Sequence, residues 1–206
     1  MAYAGQILEN PVSGERIVFH KTASDTEGQL LAFELLLTPD GHVPGAHVHP
    51  EQEERFEVVK GTMKFRRGLE TVFARPGDRV VVPSGVTHRF ENAGEEPAHV
   101  LVEVRPALRM EQLLETATAL AREGRTNRKG MPNPLDLALF VREFEREVRA
   151  PFVPAGLVRA IMAPLARLAT NQGLYERYRR PSPALVDEAL PTRPDPTYPA
   201  AGKEVA

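Results

Sequence analysis

The first half of the chain consists of short apolar runs separated by turn-forming residues. Over residues 30–38, every second position from Leu31 to Leu37 is apolar, and the opposite face is apolar except near Glu34. This pattern predicts a strand that is buried on both sides away from that glutamate. Comparable runs recur throughout the first half, with turn sequences such as PDG at 39–41 between them. Such a succession predicts a β-sandwich or barrel.

The second half follows helical spacing instead. Apolar residues three or four positions apart predict helices over 110–122, 134–149 and 154–172. Asn133 provides an N-cap for the second of them, and Pro164 is predicted to kink or split the third. The apolar faces of these helices are too large to leave in water, so we expect them to dock on the barrel or on a second subunit.

Three histidines and one glutamate are placed so that they could share one metal ion. His47 and His49 are two positions apart, so on a strand both side chains point to the same face. Glu54 can return on the next strand, and His88 supplies a third imidazole. Three neutral imidazoles and one carboxylate suit a divalent transition metal such as Fe, Mn, Ni, Co, Cu or Zn, one per chain. The alternative is a metal-free barrel with a polar mouth.

Two gapped motifs resemble those of the cupin family. The first has the form G-x5-HxH-x4-E-x6-G and runs from Gly41 to Gly61 through the first three candidate ligands. The second has the form G-x5-PxG-x2-H-x3-N and runs from Gly77 to Asn92 through His88. Every defined position of both motifs is present and in order, whereas a lone His-x-His would be a weak indication.

The resemblance implies a mainly β fold, a double-stranded β-helix or jelly-roll cupin barrel, in which ligands from different strands converge inside the mouth. We therefore divide the chain into a cupin barrel over 1–106, a C-terminal α-helical extension over 107–178, and a proline-rich tail over 179–206 that we expect to be disordered or loosely packed. The resemblance also leads us to expect a homodimer.

Five further residues are candidates for the pocket around the metal. Phe56, Val58 and Phe90 are apolar and close in sequence to the ligands, so we assign them to the pocket wall. Glu34 and Glu103 could line the pocket as acid–base groups. An outward role in salt links explains these two glutamates equally well.

Other polar residues near the motifs have structural explanations. Glu53 directly precedes the candidate ligand Glu54. We interpret Glu53 as a solvated charge, because the spacing to Gly61 favours Glu54 as the ligand. We interpret His20, His42 and His99 as surface or hydrogen-bonded histidines rather than ligands. Asn92 is expected to fix the backbone beside the site rather than to touch the metal.

Composition excludes several classes of function. Lys and Arg number 26 against 28 Asp and Glu, a net charge of −2 that gives no basic stripe for nucleic acid. There is no cysteine, so neither a disulfide framework nor thiolate chemistry is available. The opening residues, MAYAGQILENP, do not resemble a signal peptide. No apolar run approaches the ~18 residues of a spanning helix. We expect a cytoplasmic protein with no membrane or nucleic-acid partner.

The leading hypothesis is a metal-dependent enzyme that acts on a small organic molecule, most plausibly a dioxygenase-type oxidoreductase. Cupins also include isomerases, lyases and decarboxylases, so a metal-dependent isomerase or lyase remains an alternative. A second class is a non-catalytic protein that binds a metal or a small ligand. A sensor fused to an effector is a weaker third hypothesis, because no DNA-binding helical pair is recognisable after residue 106.

Overall fold

The computed structural model describes residues 2–179 and 203–204. The strands are β1 (Ile7–Asn10), β2 (Glu15–Lys21), β3 (Leu31–Leu37), β4 (Glu53–Lys60), β5 (Met63–Arg67), β6 (Glu70–Ala74), β7 (Asp78–Val82), β8 (His88–Asn92), β9 (Ala98–Arg105) and β10 (Lys203–Glu204). The helices are α1 (Met110–Arg122), α2 (Pro134–Glu143), α3 (Ala155–Asn171) and α4 (Glu176–Arg179). The strands β1 to β9 lie where the apolar runs predicted them.

Two sheets make the barrel. One has the order β1-β2-β3-β9-β4-β7-β10, and the other has the order β6-β5-β8. Neighbours in these sheets are antiparallel, except that β10 runs parallel to β7. Neighbouring strands distant in sequence, such as β3 beside β9 and β4 beside β7, are typical of a jelly roll. The mainly β jelly-roll fold is therefore confirmed.

Aromatic side chains join the two sheets across the core. Phe56 comes from the larger sheet, and its ring centroid lies 5.0 Å from that of Phe65 and 5.4 Å from that of Phe90, both in the smaller sheet. All three rings are buried. Burying one such side chain stabilises the fold by roughly 1.5–3 kcal/mol. This aromatic layer therefore holds the two sheets together directly below the end of the barrel where the candidate ligands lie.

The first two helices of the extension differ in how closely they follow the prediction. Helix α1 has its predicted bounds, and its buried side, which includes Met110 and Leu113, contacts β1. Helix α2 begins at Pro134 after the Asn133 cap, as predicted, but ends at Glu143 rather than at residue 149. Beyond this end, Glu147 and Arg149 bind the segment before β4 through their backbone.

Helix α3 contradicts two expectations. Pro164 lies inside the helix, which runs on through it from Ala155 to Asn171, so the predicted split does not occur and the kink stays a prediction. The predicted apolar stripe is mostly in solvent: Leu157 is 53%, Ile161 57% and Leu168 47% exposed. The helix packs instead through small residues such as Ala166 and Ala169, because these let its backbone approach α2 closely. Docking of this stripe on the barrel is thus wrong, and packing on a second subunit stays a prediction.

The structure bears only in part on the predicted tail and on the predicted cytoplasmic location. Of residues 179–206, the structure describes the end of α4 and β10, and the remainder lies outside the described residues. Within the described parts of the chain, no helix is both long enough and apolar enough to cross a bilayer. The cytoplasmic location stays a prediction.

Candidate metal centre

The segment from His47 to His49 is extended and is held on both sides. On one side it pairs with His88 at the start of β8, through backbone hydrogen bonds of 3.0 Å and 2.9 Å between His47 and His88. On the other side Val48 and Arg149 exchange backbone hydrogen bonds of 3.0 Å and 2.9 Å. This double pairing fixes an extended backbone, so the two histidine side chains point to the same place.

Glu54 reaches the same place from β4. Its neighbours in the sheet are Val82 and Val104, and its side chain is on the inner face together with that of Phe56. The turn into β4 is fixed by Gln52, which is fully buried and whose Nε2 donates to the carbonyl oxygens of Pro106 and Ala107 at 3.0 Å each. The start of β4 is therefore anchored to the beginning of the helical extension.

The four predicted ligands come together. Each offers one ligand atom, and these atoms all lie within 4.8 Å of one another. His47 Nε2 lies 3.1 Å from His49 Nε2, while Glu54 Oε2 lies 3.3 Å from His49 Nε2 and 2.9 Å from His88 Nε2. Atoms about 2.1 Å from one ion are about 3.0 Å apart at right angles and about 3.4 Å apart in a tetrahedron. The three separations of 2.9–3.3 Å are therefore close to those that one ion would require.

The Nδ1 atom of every histidine in the cluster faces a backbone carbonyl. His47 Nδ1 donates to the oxygen of Gly45 at 2.9 Å, and His88 Nδ1 donates to that of Val86 at 3.2 Å. His49 Nδ1 donates to the carbonyl oxygen of Glu147. Because a carbonyl can only accept, each Nδ1 carries a hydrogen, and the neutral ring then presents a lone pair at Nε2. All three Nε2 atoms point into the cluster.

This arrangement suits a bound cation. Three Nε2 lone pairs and a carboxylate that converge within a buried space repel one another unless a positive charge lies between them. His49, Glu54 and His88 are buried, and His47 is half-buried on the open side. The donor set of three imidazoles and one carboxylate is thus compatible with a divalent transition metal.

The pKa values of the cluster show how a proton is accommodated there. Burial and the neighbouring His88 and His49 lower the pKa of His47 to about 3. Burial alone would lower the pKa of His49, but Glu54 more than offsets it and the pKa is raised. Burial would raise the pKa of Glu54, yet its contacts with His49 and His88 hold it well below the usual range. Below the raised pKa of His49, a protonated His49 therefore lies against an ionised Glu54 in the metal-free cluster.

The apolar pocket candidates lie beneath the cluster. Phe56 and Phe90 follow Glu54 and His88 by two residues on the same faces, and their rings contact each other. Val58 is two residues further along β4 and is 1% exposed, well inside the core. These three side chains form an apolar floor that separates the ligands from the middle of the barrel.

The two glutamates proposed as pocket residues are elsewhere. Glu34 and Glu103 lie on the outer face of the larger sheet, because they alternate with the buried residues of β3 and β9. Glu34 lies 3.0 Å from His20 Nε2 and 3.3 Å from His99 Nε2, and Glu103 accepts from Arg105. The assignment of both glutamates to the pocket is therefore wrong. They have the alternative role, in outward-facing salt links.

The remaining polar residues have structural roles. Glu53 faces outward and accepts from Arg55 at 2.7 Å. His42 Nδ1 donates to the carbonyl of Asp40 at 3.0 Å. Asn92 Nδ2 donates to three carbonyl oxygens, and its Oδ1 accepts from the Gly94 amide at 2.9 Å. Asn92 thus fixes backbone as predicted, although it does so at the end of β8 opposite His88.

Sequence reasoning missed Glu147, whose carbonyl binds His49. Its side chain is 3% exposed, and Oε1 accepts from the backbone N–H of Arg109 at 3.0 Å. One indication was available: Glu147 lies three positions after Phe144 and seven after Phe140, so it is a charged residue within the predicted apolar stripe. A charge on a buried stripe indicates a polar partner.

Comparison with known proteins agrees with this geometry. Residues 33–104, from β3 to β9, match the family model described as Cupin domain. These residues of the barrel therefore form a cupin domain, as the two motifs predicted. The xanthan biosynthesis protein XanB of Xanthomonas campestris is 31% identical over 78 residues, which are 38% of this chain and 16% of that protein. The polyketide synthase CurC of Streptomyces cyaneus is 33% identical over 60 residues, or 29% of this chain and 39% of that one. The chain spans less than half of each relative.

Solved structures similar to the chain include two with TM-scores of 0.45. An RmlC-like cupin from Shewanella frigidimarina is 16% identical, with 54% of this chain and 94% of that one covered. A protein from Thermotoga maritima, described as a predicted oxalate decarboxylase, is 20% identical over 50% of this chain and 92% of its own. A sugar phosphate isomerase from Silicibacter pomeroyi is 24% identical over 51% of this chain and 67% of its own, with a TM-score of 0.41. Nothing about the reaction of this chain follows from them.

Proposed function

We propose that the protein is a metal-dependent cupin enzyme that acts on a small organic molecule, with the character of a dioxygenase. His47, His49, Glu54 and His88 would bind one divalent transition metal. The observation that carries the proposal is the convergence of three Nε2 atoms and a carboxylate oxygen, each histidine being held in the same tautomer by a backbone carbonyl. Such a set binds a metal without rearrangement of the imidazoles.

The proposed set of four ligands leaves coordination positions open for other molecules. Four protein ligands on an ion that accepts up to six leave two positions for exchangeable molecules. A divalent ion bound there would polarise a bidentate oxygen ligand at both positions, or would bring dioxygen at one position together with a substrate held through a single atom at the other. His47 is half-buried, so small molecules would enter on its side. Phe56 and Phe90 close the opposite side and exclude water from below.

The position of Glu34 and Glu103 favours an oxygenase over an isomerase or lyase. Isomerisation and elimination need a side chain that moves a proton to or from the substrate. Both glutamates that could have served are on the outer face of the sheet. Oxidation by dioxygen depends more on the metal and less on such a group. The isomerase or lyase stays the alternative activity.

The deciding experiment combines metal analysis with oxygen uptake. The protein is purified without added metal, its metal content is measured, and the metal-free form is reloaded anaerobically with Fe(II), Mn(II), Ni(II), Co(II), Cu(II) or Zn(II) in turn. Each form is then mixed with small bidentate compounds such as hydroxy acids, diols and catechols. Metal-dependent oxygen consumption with an oxidised product supports the dioxygenase. Conversion without oxygen uptake supports the isomerase or lyase.

The same samples test the non-catalytic alternative. In the Co(II) or Cu(II) protein, a small chelating anion should change the visible spectrum saturably, because exchangeable positions are open. A saturable change with no turnover of any compound would favour a metal-dependent binding protein. A spectrum that no small ligand alters would show a coordination shell filled by the protein and would contradict the enzyme proposal.

We further propose a homodimer. The exposed residues Leu157, Ile161 and Leu168 lie on one side of α3, where a second subunit would remove them from water. Ile161→Glu should convert a dimer into a monomer in light scattering, whereas Arg159→Glu, elsewhere on the helix, should not. A wild-type protein that is monomeric at high micromolar concentration would contradict this assignment.

A further inference from the structure

The three histidines of the cluster obtain their carbonyl partners in two different ways. His47 and His88 use the carbonyl groups of Gly45 and Val86, each two residues earlier in the chain. His49 uses the carbonyl group of Glu147, which is 98 residues away and belongs to the helical extension. The barrel therefore sets two of the rings by itself, and the extension sets the third.

The carbonyl of Glu147, which accepts from His49, belongs to a residue whose side chain is also held. The carboxylate of Glu147 is buried, and its Oε1 accepts from the backbone N–H of Arg109 at 3.0 Å. The Arg109 guanidinium lies 5.3 Å from the ring centroid of Phe144, which is fully buried. Because the side chain of Glu147 is fixed at the start of α1, its own carbonyl cannot move away from His49 without breaking that bond.

Residues 146–149 of the extension also bind the segment 48–51, on either side of His49. Arg149 exchanges two backbone hydrogen bonds with Val48. Arg146 binds the carboxylate of Glu51, with a shortest N–O distance of 2.5 Å. The early end of α2 leaves the N–H of Arg149 available for Val48, since a helix continued to residue 149 would use that N–H internally.

We propose that Glu147 is a positioning residue of the metal centre: its buried carboxylate anchors the 144–149 segment, and its carbonyl holds His49 as an Nε2 ligand. The proposal rests on the proposed metal function and extends it, because the helical extension then becomes part of the metal site. Groups that orient a metal-bound histidine typically change metal affinity by about 10–100-fold when they are removed.

The test uses the full chain with Zn(II) as the probe. Dissociation constants are measured by competition with a chromophoric chelator for the wild type, Glu147→Ala and Glu147→Gln. The alanine variant leaves the Arg109 N–H without its acceptor and should bind Zn(II) about 10–100-fold more weakly. The glutamine variant retains an oxygen acceptor and should stay close to the wild type. The matched control is Glu145→Ala, from the same turn, whose carboxylate faces Arg159 at 3.8 Å; its affinity should not change.

A spectroscopic readout separates positioning from general stability. In metal-free, 15N-histidine-labelled protein at a pH where His49 is neutral, we expect NMR to show its proton on Nδ1 with slow solvent exchange in the wild type and in Glu147→Gln. In Glu147→Ala the exchange should be fast. Unchanged Zn(II) affinity in a folded Glu147→Ala, or a wild-type His49 with its proton on Nε2, would overturn the proposal. The wild-type measurement decides it even where the alanine variant does not fold.

If the proposed metal-dependent function is wrong, the measurements differ from those expected if only the role of Glu147 is wrong. A wild-type protein that binds none of the metals would contradict the metal-dependent enzyme. The slow exchange of the His49 Nδ1 proton, and its dependence on Glu147, would still decide whether the extension holds this ring.

Discussion

Two clusters in this barrel combine histidines with a glutamate, and they differ in almost everything else. The inner cluster joins His47, His49 and His88 with Glu54. The outer cluster joins His20 and His99 with Glu34, on the other face of the larger sheet. The side chains of the outer cluster are 23–27% exposed, whereas His88 and Glu54 in the inner one are 0% and 9% exposed.

The difference lies in preorganisation rather than in residue type. In the inner cluster the backbone orients each ring, so the three Nε2 atoms face one another. In the outer cluster the two Nε2 atoms face separate oxygens of Glu34, and neither makes a hydrogen bond of good geometry. Among the described residues, only the inner cluster brings three or more ligand atoms within reach of one ion. Residue composition alone therefore does not make a metal site.

The largest expected effect separates the two clusters by metal content. His49→Ala should lose nearly all bound metal, with affinity lowered more than about a hundredfold, because a direct ligand matters more than the groups that orient it. His99→Ala, the matched change in the outer cluster, should retain about one metal per chain. Elemental analysis of both variants after identical purification is the measurement. Equal metal content in the two variants would contradict the assignment of the metal site to the inner cluster.

Glu54→Gln should weaken the site less than loss of an imidazole. A neutral amide oxygen is a poorer ligand for a divalent ion than a carboxylate, so we expect affinity to fall by about one to two orders of magnitude. Glu34→Gln, which has the same chemistry on the outer face, should leave affinity unchanged. Zn(II) titrations of both variants check this prediction. A Glu54→Gln protein with wild-type affinity would remove the carboxylate from the shell.

The metal affinity of the inner cluster should rise with pH through the raised pKa of His49. Below that pKa, a metal ion must displace the proton that His49 shares with Glu54; above it, no proton has to leave. Glu54, with its lowered pKa, and His47, with a pKa of about 3, carry no proton near neutrality. Binding at a pH below the raised pKa of His49 should therefore release up to one proton per metal. Calorimetry in buffers of different ionisation enthalpy measures it; no release at all would contradict the raised pKa.

The smallest effect concerns the stability contributed by the outer cluster. Glu34→Gln removes a charge near two half-exposed histidines, and such surface pairs contribute about 0–1 kcal/mol. Urea unfolding of the metal-free protein should therefore show a change of no more than about 1 kcal/mol. A loss of several kcal/mol would mean that the outer cluster is a structural centre in its own right.

The sequence indicated the barrel and the four ligands because both depend on local pattern. Strand alternation and turn residues predicted β1 to β9, and the spacing of His47 and His49 reflects a single extended segment. The orientation of Glu34 was open, because β3 is apolar on both faces and the pattern does not say which face is inside. The partner of His49 could not be read from spacing, since it is a main-chain oxygen 98 residues away. The predicted docking face of helix α3 was wrong for a related reason. The small residues of this helix pack against the protein, whereas most of the large apolar ones are exposed.

The distance along the chain between His49 and Glu147 has a consequence for biosynthesis. A ribosome releases the barrel, with all four ligands, well before residue 147 has left the exit tunnel. At that stage His47 and His88 already have their carbonyl partners, and His49 does not. The nascent barrel should therefore hold metal loosely and exchange it readily. If the protein binds a metal as proposed, the Glu147 carbonyl can tighten that binding only after translation has passed residue 147.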